Sequence, residues 1–191
     1  MNEQELIQRL RQQDEPAFRW VVEQYRNRVY HTALNIVQNP AEAEDAAQET
    51  FIQVFESIDR FRQDASLSTW IYRIAVRKAL DKLRRQKTRQ RLQQFIPWWM
   101  PEESKSAGEF HHPGIEAEHK EKSAILFKAI QSLPEKQRLA FTLIRVQGMS
   151  YEEATEIMQQ HIKALESLIS RAKANLQKKL EHYYKNNNTN R

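Results

Sequence analysis

Residues 69–91 read TWIYRIAVRKALDKLRRQKTRQR, and this stretch predicts a long helix with two chemically different faces. Apolar residues recur at steps of three, one and four, as on the buried side of an amphipathic helix: Ile71, Ile74, Ala75, Ala79 and Leu83. Nine Lys or Arg residues and one acid, Asp81, occur between Trp70 and Arg91. Most of the cations fall off the apolar stripe and are expected to point to solvent: Arg73, Arg77, Lys78, Lys82, Arg84 and Arg85. Because each neutralised phosphate releases condensed counterions, this dense positive charge favours nucleic-acid binding.

Two other interpretations of this helix compete with nucleic-acid binding. A charged face can simply be solvated, and a basic amphipathic helix can bind an anionic membrane. A membrane-bound helix would need bulky apolar side chains exposed opposite its charges, whereas here those positions are needed for a domain core. The residue pattern therefore favours a nucleic-acid partner.

The overall composition limits the class of protein. The chain has 191 residues, a formal net charge of +5, a pI of about 9.4 and no cysteine. That length predicts one or two domains, and the lack of cysteine excludes disulfides, thiolate catalysis and cysteine metal sites. No apolar run approaches the roughly 20 residues of a membrane span, and the N-terminus lacks the apolar core of a signal peptide. We therefore expect a cytoplasmic protein without membrane insertion.

A change of composition at residues 92–119 predicts an interdomain linker. The stretch holds two of the three glycines and three of the six prolines, and its five Glu against one Lys reverse the charge of the basic flanks. No long alternating pattern typical of β-strands lies on either side of it. We expect an all-α protein with two small helical domains, 1–91 and 120–185, a flexible linker between them and a disordered tail at 186–191.

Capping residues mark the helices of the first domain. Asp14 precedes an amphipathic helix over 17–37, with core positions at Phe18, Val21, Val22, Tyr25, Val29 and Ala33. Asn39, Pro40 and Glu42 then supply an N-cap, a first-turn proline and a capping-box acid for the next helix. The buried face of that helix is predicted at Ala43, Ala46, Ala47, Thr50, Phe51, Val54 and Phe55.

The second domain ends in a pattern typical of helix-turn-helix proteins. Ser150 and Glu153 form a capping box for a short helix, and residues 159–161 form a turn before a long final helix. In DNA-binding proteins this arrangement places the second helix in the major groove. Pro134 separates two earlier helices, whose buried positions are predicted at Ile125, Leu126, Ala129, Ile130, Leu133, Leu139, Leu143 and Val146.

Four segments, taken in order, carry a family resemblance: EAEDAAQETFIQVF, FRQDASLSTWIYRIAVRKALDKLRR, LPEKQRLAFTLIRVQGMSYEEATEIM and ALESLISRAKANLQKKL. Together they resemble the extracytoplasmic-function (ECF, group IV) RNA polymerase sigma factors of the sigma-70 family, over nearly the whole chain outside the linker and the extreme termini. The resemblance implies sigma domain two at 1–91 and sigma domain four at 120–185. It also implies core RNA polymerase and promoter DNA as partners, an anti-sigma factor as regulator, no cofactor and no catalytic activity.

The resemblance assigns the contact with polymerase to the helix that follows Asn39. The positions that match the family's core-binding residues are Asp45, Gln48, Glu49 and Phe51. From the residues alone, the first interpretation of Asp45 and Glu49 is a solvated helix face, because acidic faces are common.

The resemblance assigns the −10 promoter element to the basic helix and the loop before it, which melt the duplex and hold a flipped base in the family. Unstacking a base costs a few kcal/mol, so a pocket with nearby cations is required. The matching positions are Asp64, Ala65 and Ser66 in the loop, and Arg73, Arg77, Lys78, Arg84 and Arg85 on the helix. Trp70 is interpreted either as core packing or as a residue that separates the strands.

The final helix is the expected reader of the −35 element. Its outward positions are Lys163, Glu166, Ser167, Ser170 and Arg171, with Lys173 beside them. Relatives often carry Arg or Lys where this chain has Glu166, and Glu can accept a hydrogen bond from cytosine N4. The alternative, that Glu166 only pairs with Arg171 or Lys163 on the helix surface, is equally open.

Enzyme and metal chemistry have little support in the sequence. His111, His112 and His119 occur in the linker without the spacing of a zinc site, and the chain has no phosphate-binding glycine loop, HExxH motif or cysteine nucleophile. Trp98 and Trp99 are unusual in a solvated tether. Packing on one domain, docking of the two domains and insertion into polymerase are the open interpretations for them.

A stand-alone helix-turn-helix repressor or activator is the rival function. Such a protein binds duplex DNA by itself, typically as a dimer on a palindrome. The helix Glu42–Phe55 distinguishes the two hypotheses, because a repressor has no use for its acidic face and a polymerase subunit does.

Overall fold

The structure, a computed structural model, describes residues 2–93 and 117–188, and its side chains are described for 2–89 and 124–181. All secondary structure in these ranges is helical, which confirms the all-α prediction. The α-helices of the described ranges are α1 (Glu3–Arg11), α2 (Glu15–Val37), α3 (Pro40–Ser57), α4 (Leu67–Gln93), α5 (Ala117–Gln131), α6 (Glu135–Phe141), α7 (Tyr151–Met158) and α8 (Ile162–Asn188). A 3₁₀ turn, Ile58–Arg60, follows α3, and a π-helical segment, Thr142–Val146, follows α6.

The chain divides into two compact units, Met1–Gly108 and Glu109–Arg191. Helix α4 runs to Gln93 and α5 begins at Ala117, so helix occupies both ends of the range expected to be linker. Helix α8 likewise continues to Asn188, into the range expected to be a disordered tail. The rest of the predicted linker, with Trp98, Trp99, His111 and His112, lies outside the described residues.

In the first unit, α2, α3 and α4 each pack against the other two. The predicted apolar stripe of α4 is largely confirmed, because Ile71, Ala75 and Ala79 are fully buried and Leu83 nearly so, whereas Ile74 is half-buried. The prediction for Phe55 is wrong. This side chain is exposed, with its ring in edge contact with that of Phe18 at 5.2 Å between centroids.

Helix α1 was not predicted from the sequence. It carries only three apolar side chains among polar ones, but all three are buried: Leu6, Ile7 and Leu10. The Asn2 side chain accepts a hydrogen bond from the Gln4 amide and caps the helix. Helix α1 packs on α2 and on the 3₁₀ turn, so its stability comes from tertiary contact rather than from its own short sequence.

The predicted caps are present at the starts of α2, α3 and α7. Asp14 accepts from the Ala17 amide at 3.0 Å, and Asn39 from the Glu42 amide at 3.1 Å. The capping box at Ser150 is complete, since Ser150 and Glu153 each accept from the other's amide. The box predicted for Glu42 is replaced by another contact, because the Glu42 carboxylate lies 3.9 Å from the ammonium of Lys82 on α4.

In the second unit, α5, α6 and α7 pack against the long helix α8. Arg138 is buried beneath the end of α5 and donates to the carbonyls of Gln131 and Leu133 at 3.0 and 3.2 Å. Burial lowers the pKa of Arg138. Two residues predicted to be buried are instead exposed, Leu126 by 43% and Val146 by 48%. Val146 lies in the π-helical segment, where the wider turn shifts the side chains away from the 3.6-residue periodicity.

Candidate nucleic-acid interface

A basic cleft lies between the C-terminal half of α3, the 3₁₀ turn and the first half of α4. Its volume is about 410 Å³. Four cations and one acid line it: Arg60, Arg73, Arg77, Lys78 and Asp81. Arg60 was not predicted as a site residue, because a single Arg after a helix gives no periodic signal and the turn alone brings it beside α4.

Trp70 lies at one side of this cleft, half-buried, with its ring stacked on that of Phe61. The centroids are 4.9 Å apart and the ring planes differ by 29°. The indole thus packs on the domain with one face and still lines the cleft. The core-packing interpretation is confirmed in part, and strand separation by Trp70 stays a prediction. An aromatic surface beside cations is the arrangement that single-stranded nucleic acid prefers.

The segment between Phe61 and Leu67 is held at both ends by α1. The Arg11 guanidinium donates to the Phe61 carbonyl at 2.7 Å, and the Leu67 amide donates to the Glu3 carboxylate at 3.2 Å. This segment contains the three predicted loop residues, so the helix missed in the sequence is the one that orders the loop.

The three loop residues have different surroundings. Ser66 caps α4, because its hydroxyl accepts from the Thr69 amide at 3.2 Å and lies 2.8 Å from the Thr69 hydroxyl. Its side chain is therefore engaged in the fold. Ala65 is half-buried. Asp64 is exposed, so its carboxylate is accessible to a ligand.

The cations of α4 divide into two groups. Arg77, Arg84 and Arg85 are exposed as predicted, with Arg84 in a surface ion pair with Asp81 at 3.2 Å. Arg73 and Lys78, which also line the cleft, are half-buried, and the Lys78 ammonium lies 3.9 Å from the Glu49 carboxylate. The side chain of Lys82 is only 11% exposed. The prediction that Lys82 points to solvent is wrong, because α3 covers that side of α4.

The predicted polymerase-binding residues of α3 fall on two sides of the helix. Asp45 and Gln48 are exposed and Glu49 is half-buried, but Phe51 is buried in the three-helix core. Phe51 therefore packs the core instead of forming a contact surface. Its neighbour Ile52 is exposed, one and two helical turns from Gln48 and Asp45. It was not predicted as a site residue, because it lies off the apolar stripe and carries no charge or polar group.

The helix-turn-helix predicted in the second unit is present. Helix α7 ends at Met158, its C-cap Gln159 has a left-handed φ of 51°, and α8 begins at Ile162. Of the six predicted α8 residues, Ser167 is half-buried and the other five are exposed: Lys163, Glu166, Ser170, Arg171 and Lys173. Arg171 donates to the Ser167 hydroxyl at 2.7 Å. Within residues 124–181 Glu166 forms no ion pair, so its pairing with Arg171 or Lys163 is not observed.

Neither a metal site nor a membrane span is found in the part of the chain that the structure describes. No group of three His, Asp or Glu side chains comes together there as a metal would require. None of the helices is both long and apolar enough to cross a bilayer. The side chain of His119 is outside the described set, as are His111 and His112.

The chain matches two protein families, Sigma-70 region 2 over residues 21–89 and Sigma-70, region 4 over residues 123–176. Among solved structures it is similar to CnrH in complex with the cytosolic domain of CnrY, with a TM-score of 0.69 and 20% identity, covering 94% of this chain and 97% of the other. It is also similar to the sigma factor RpoE in complex with the anti-sigma factor NepR from Bartonella quintana, with a TM-score of 0.68 and 22% identity, covering 86% and 96%. These likenesses show the fold.

Curated relatives identify the family. The ECF RNA polymerase sigma-E factor of Haemophilus influenzae is 31% identical over 187 residues, which span 95% of this chain and 96% of the relative. The sigma-E factor of Escherichia coli K12 is 32% identical over 184 residues, 95% of each. The resemblance stated from the sequence is thus confirmed, and the chain belongs to the ECF family of RNA polymerase sigma factors.

Proposed function

We propose that this chain is a promoter-specificity subunit that binds core RNA polymerase with 1–91 and contacts promoter DNA with both 1–91 and 120–185. The observation that carries the proposal is the composition of the first unit. One unit presents an α3 face with the acids Asp45 and Glu49 and the amide Gln48 and, between α3, the 3₁₀ turn and α4, a cleft with four cations. An acidic surface repels DNA, so this unit is built for a protein partner and a nucleic acid together.

The polymerase contact is assigned to the exposed stripe of α3. Asp45, Gln48 and Glu49 supply acceptors at its N-terminal half, and Ile52 and Phe55 supply exposed apolar surface at its C-terminal half. Apolar area flanked by polar residues is typical of a protein interface. Phe51, being buried, supports the interface by packing beneath it.

The −10 contact is assigned to the basic cleft. Arg73 and Arg77 lie one helical turn apart beside Trp70, where cations and a ring face can hold phosphates and an unstacked base. Asp64 at the loop and Arg84 and Arg85 further along α4 extend this surface. Lys78 serves it less directly, because its ammonium faces Glu49.

The −35 contact is assigned to α8, with its exposed N-terminal residues in a major groove. Glu166, which forms no ion pair in the described part of this unit, is suited to accept from cytosine N4. The preferred −35 sequence should therefore differ from the commonest one of the family. The hydrogen bond from Arg171 to Ser167 holds the guanidinium against the helix until DNA binds.

The remaining parts of the proposal concern the linker and regulation. The net negative charge of 92–119 is suited to a path through the polymerase active-site and RNA-exit region, where it would mimic RNA phosphates. We propose that the chain acts in the cytoplasm and that an anti-sigma factor regulates it. Support for the regulator comes from the similar sigma factor RpoE, whose structure is a complex with the anti-sigma factor NepR. The chain is proposed to act by binding, not by chemistry.

Competition for core polymerase tests the assignment of the α3 face. Asp45→Ala with Gln48→Ala should weaken binding to core while helicity is unchanged, because both side chains point to solvent. Glu44→Ala is the matched control. Glu44 is an exposed acid on the same helix, but it lies toward Tyr30 of α2, whose pKa is raised by burial and by the Glu44 charge.

Run-off transcription with core polymerase on genomic promoters tests the function as a whole. The wild-type chain should give specific transcripts with core and bind duplex promoter DNA weakly without it. Normal competition by the double variant would remove the α3 assignment. Tight binding to a palindromic duplex by the isolated chain would favour the stand-alone repressor instead.

A further inference from the structure

Lys82 lies at the centre of a group of carboxylates that all belong to α3. Its ammonium is 2.9 Å from the Glu49 carboxylate, 3.4 Å from Asp45 and 3.9 Å from Glu42. The three acids occupy one stripe of α3, at spacings of three and four residues. The Lys82 side chain is 11% exposed. It therefore lies in the seam between α3 and α4, on the buried side of the proposed polymerase face.

The acids remain accessible although they share this cation. Asp45 is 63% exposed and Glu49 is 41% exposed, and the second oxygen of Glu49 lies 3.9 Å from the Lys78 ammonium. An ionised carboxylate has about four acceptor positions. One contact to Lys82 therefore fixes the orientation of each side chain and still leaves acceptor positions for a partner.

The ion pair is stable at neutral pH. Partial burial acts to lower the pKa of Lys82, but the hydrogen bond to Glu49 and the charges of Glu49 and Asp45 outweigh it, and the pKa is raised. A raised pKa in the folded state means that the stabilisation is fully present below the unfolded value of about 10.4 and is lost as pH rises through the folded value. Lys82 is thus charged under all conditions in which polymerase binding is measured.

We infer that Lys82 is a positioning residue for the polymerase contact, which orders Asp45 and Glu49 before the partner arrives. The inference rests on the proposed assignment of the α3 face to polymerase. Three carboxylates against the ammoniums of Lys82 and Lys78 leave this seam with a net negative charge, so the matching surface of the partner should be basic. Ordering the side chains beforehand removes an entropy cost that they would otherwise incur on binding.

A double-mutant cycle on core-polymerase binding tests this role. In the wild-type background, Lys82→Met should weaken binding by about fivefold to tenfold, which corresponds to the freedom regained by two side chains. In a background carrying Asp45→Ala and Glu49→Gln, Lys82→Met should weaken binding to core polymerase by less than about twofold, because Lys82 acts only through those acids. Lys82→Arg keeps the charge and should bind within about threefold of wild type.

Two controls accompany the cycle. Arg89→Met removes the same charge from an exposed position of the same helix and should change core binding by less than about twofold, since surface charges contribute little. Circular dichroism and thermal unfolding report whether each variant is folded. If Lys82→Met is not folded, the cycle is measured with Lys82→Gln, which keeps a polar end to the side chain.

The outcomes separate the inference from the proposed function. If the Asp45 and Glu49 variant binds core as wild type does, the α3 interface itself fails and the role of Lys82 fails with it. If that variant binds weakly but Lys82→Met costs the same in both backgrounds, only the positioning role is overturned, and Lys82 is then a packing residue. An equal loss with Arg89→Met would also overturn it, in favour of a general charge effect.

Discussion

Replacement of Arg73 and Arg77 by Ala should impair promoter opening more than initial promoter binding. Both residues line the cleft beside Trp70, one helical turn apart, next to the loop that α1 holds in place. Arg171 is different, because it lies on α8, where the duplex is expected to stay paired. Arg171→Ala should therefore weaken the closed complex and leave opening intact.

The size of each effect follows from the kind of contact. Each phosphate contact on a single strand contributes about 0.7 to the slope of log K against log salt, so losing two cations should lower that slope by about 1.4. Between 0.05 and 0.2 M salt, open-complex formation by wild type should then fall about sevenfold more than that of the Arg73 and Arg77 variant. Loss of one base contact at Arg171 corresponds to about 1–3 kcal/mol, or roughly fivefold to 150-fold in closed-complex affinity.

The assay compares two templates with the reconstituted holoenzyme. Mobility shift at low temperature reports the closed complex, and permanganate reactivity of unpaired thymines reports opening. A template with a pre-melted −10 region should rescue the Arg73 and Arg77 variant but not the Arg171 variant. Arg26→Ala, at an exposed cation of α2 outside the cleft, is the matched control. Equal rescue of both variants, or rescue of neither, would refute this division between melting and duplex recognition.

Two further predictions concern stability. Leu143→Ala should destabilise the second unit by about 2–5 kcal/mol, because Leu143 is fully buried. Leu126→Ala, at an exposed position, should lower the stability by about 0.5 kcal/mol or less, and thermal unfolding followed by circular dichroism measures both changes. The hydrogen bond from Arg9 and then that from the Ala17 amide lower the pKa of Asp14, so its stabilisation is complete above about pH 3.9 and is lost as pH falls through the lower folded value. Asp14→Asn keeps the cap and should flatten the dependence of Tm on pH below about pH 3.9. Asp14→Ala removes the cap as well and should also lower Tm at neutral pH. An unchanged pH dependence of Tm in Asp14→Asn would contradict the charge effect.

The helices with strong local signals were predictable from the sequence. Caps at Asp14, Asn39 and Ser150 satisfy the first amides of their helices, and that chemistry depends on a few adjacent residues. Helix α1 has no such strong local signal in its sequence. Its three buried side chains gain their stabilisation from α2 and from the 3₁₀ turn, which lies about 50 residues further along the chain. Only the tertiary structure therefore shows that α1 is ordered and that it holds the loop before α4.

The parts of the site that sequence analysis placed wrongly share one physical cause. Periodicity identifies the faces of a helix but not the number of neighbours that cover them. Helix α4 is packed by both α2 and α3, so Lys78 and Lys82 are covered although they lie off the apolar stripe. Conversely, Phe55 lies at the border of the buried face of α3, where its ring contacts Phe18 of α2 and still remains 43% exposed.

Two of the three lysines of α4 lie where the chemistry of an ammonium suits their surroundings. Lys78 and Lys82 face the α3 acids, where a compact ammonium fits between several carboxylates, whereas Lys87 is exposed. The arginines line the cleft or point to solvent, where a planar guanidinium can bind a phosphate with two parallel hydrogen bonds. A Lys-to-Arg exchange in the seam and an Arg-to-Lys exchange in the cleft therefore conserve charge but are not equivalent. The first should affect the polymerase face, by no more than about threefold, and the second should mainly affect DNA binding.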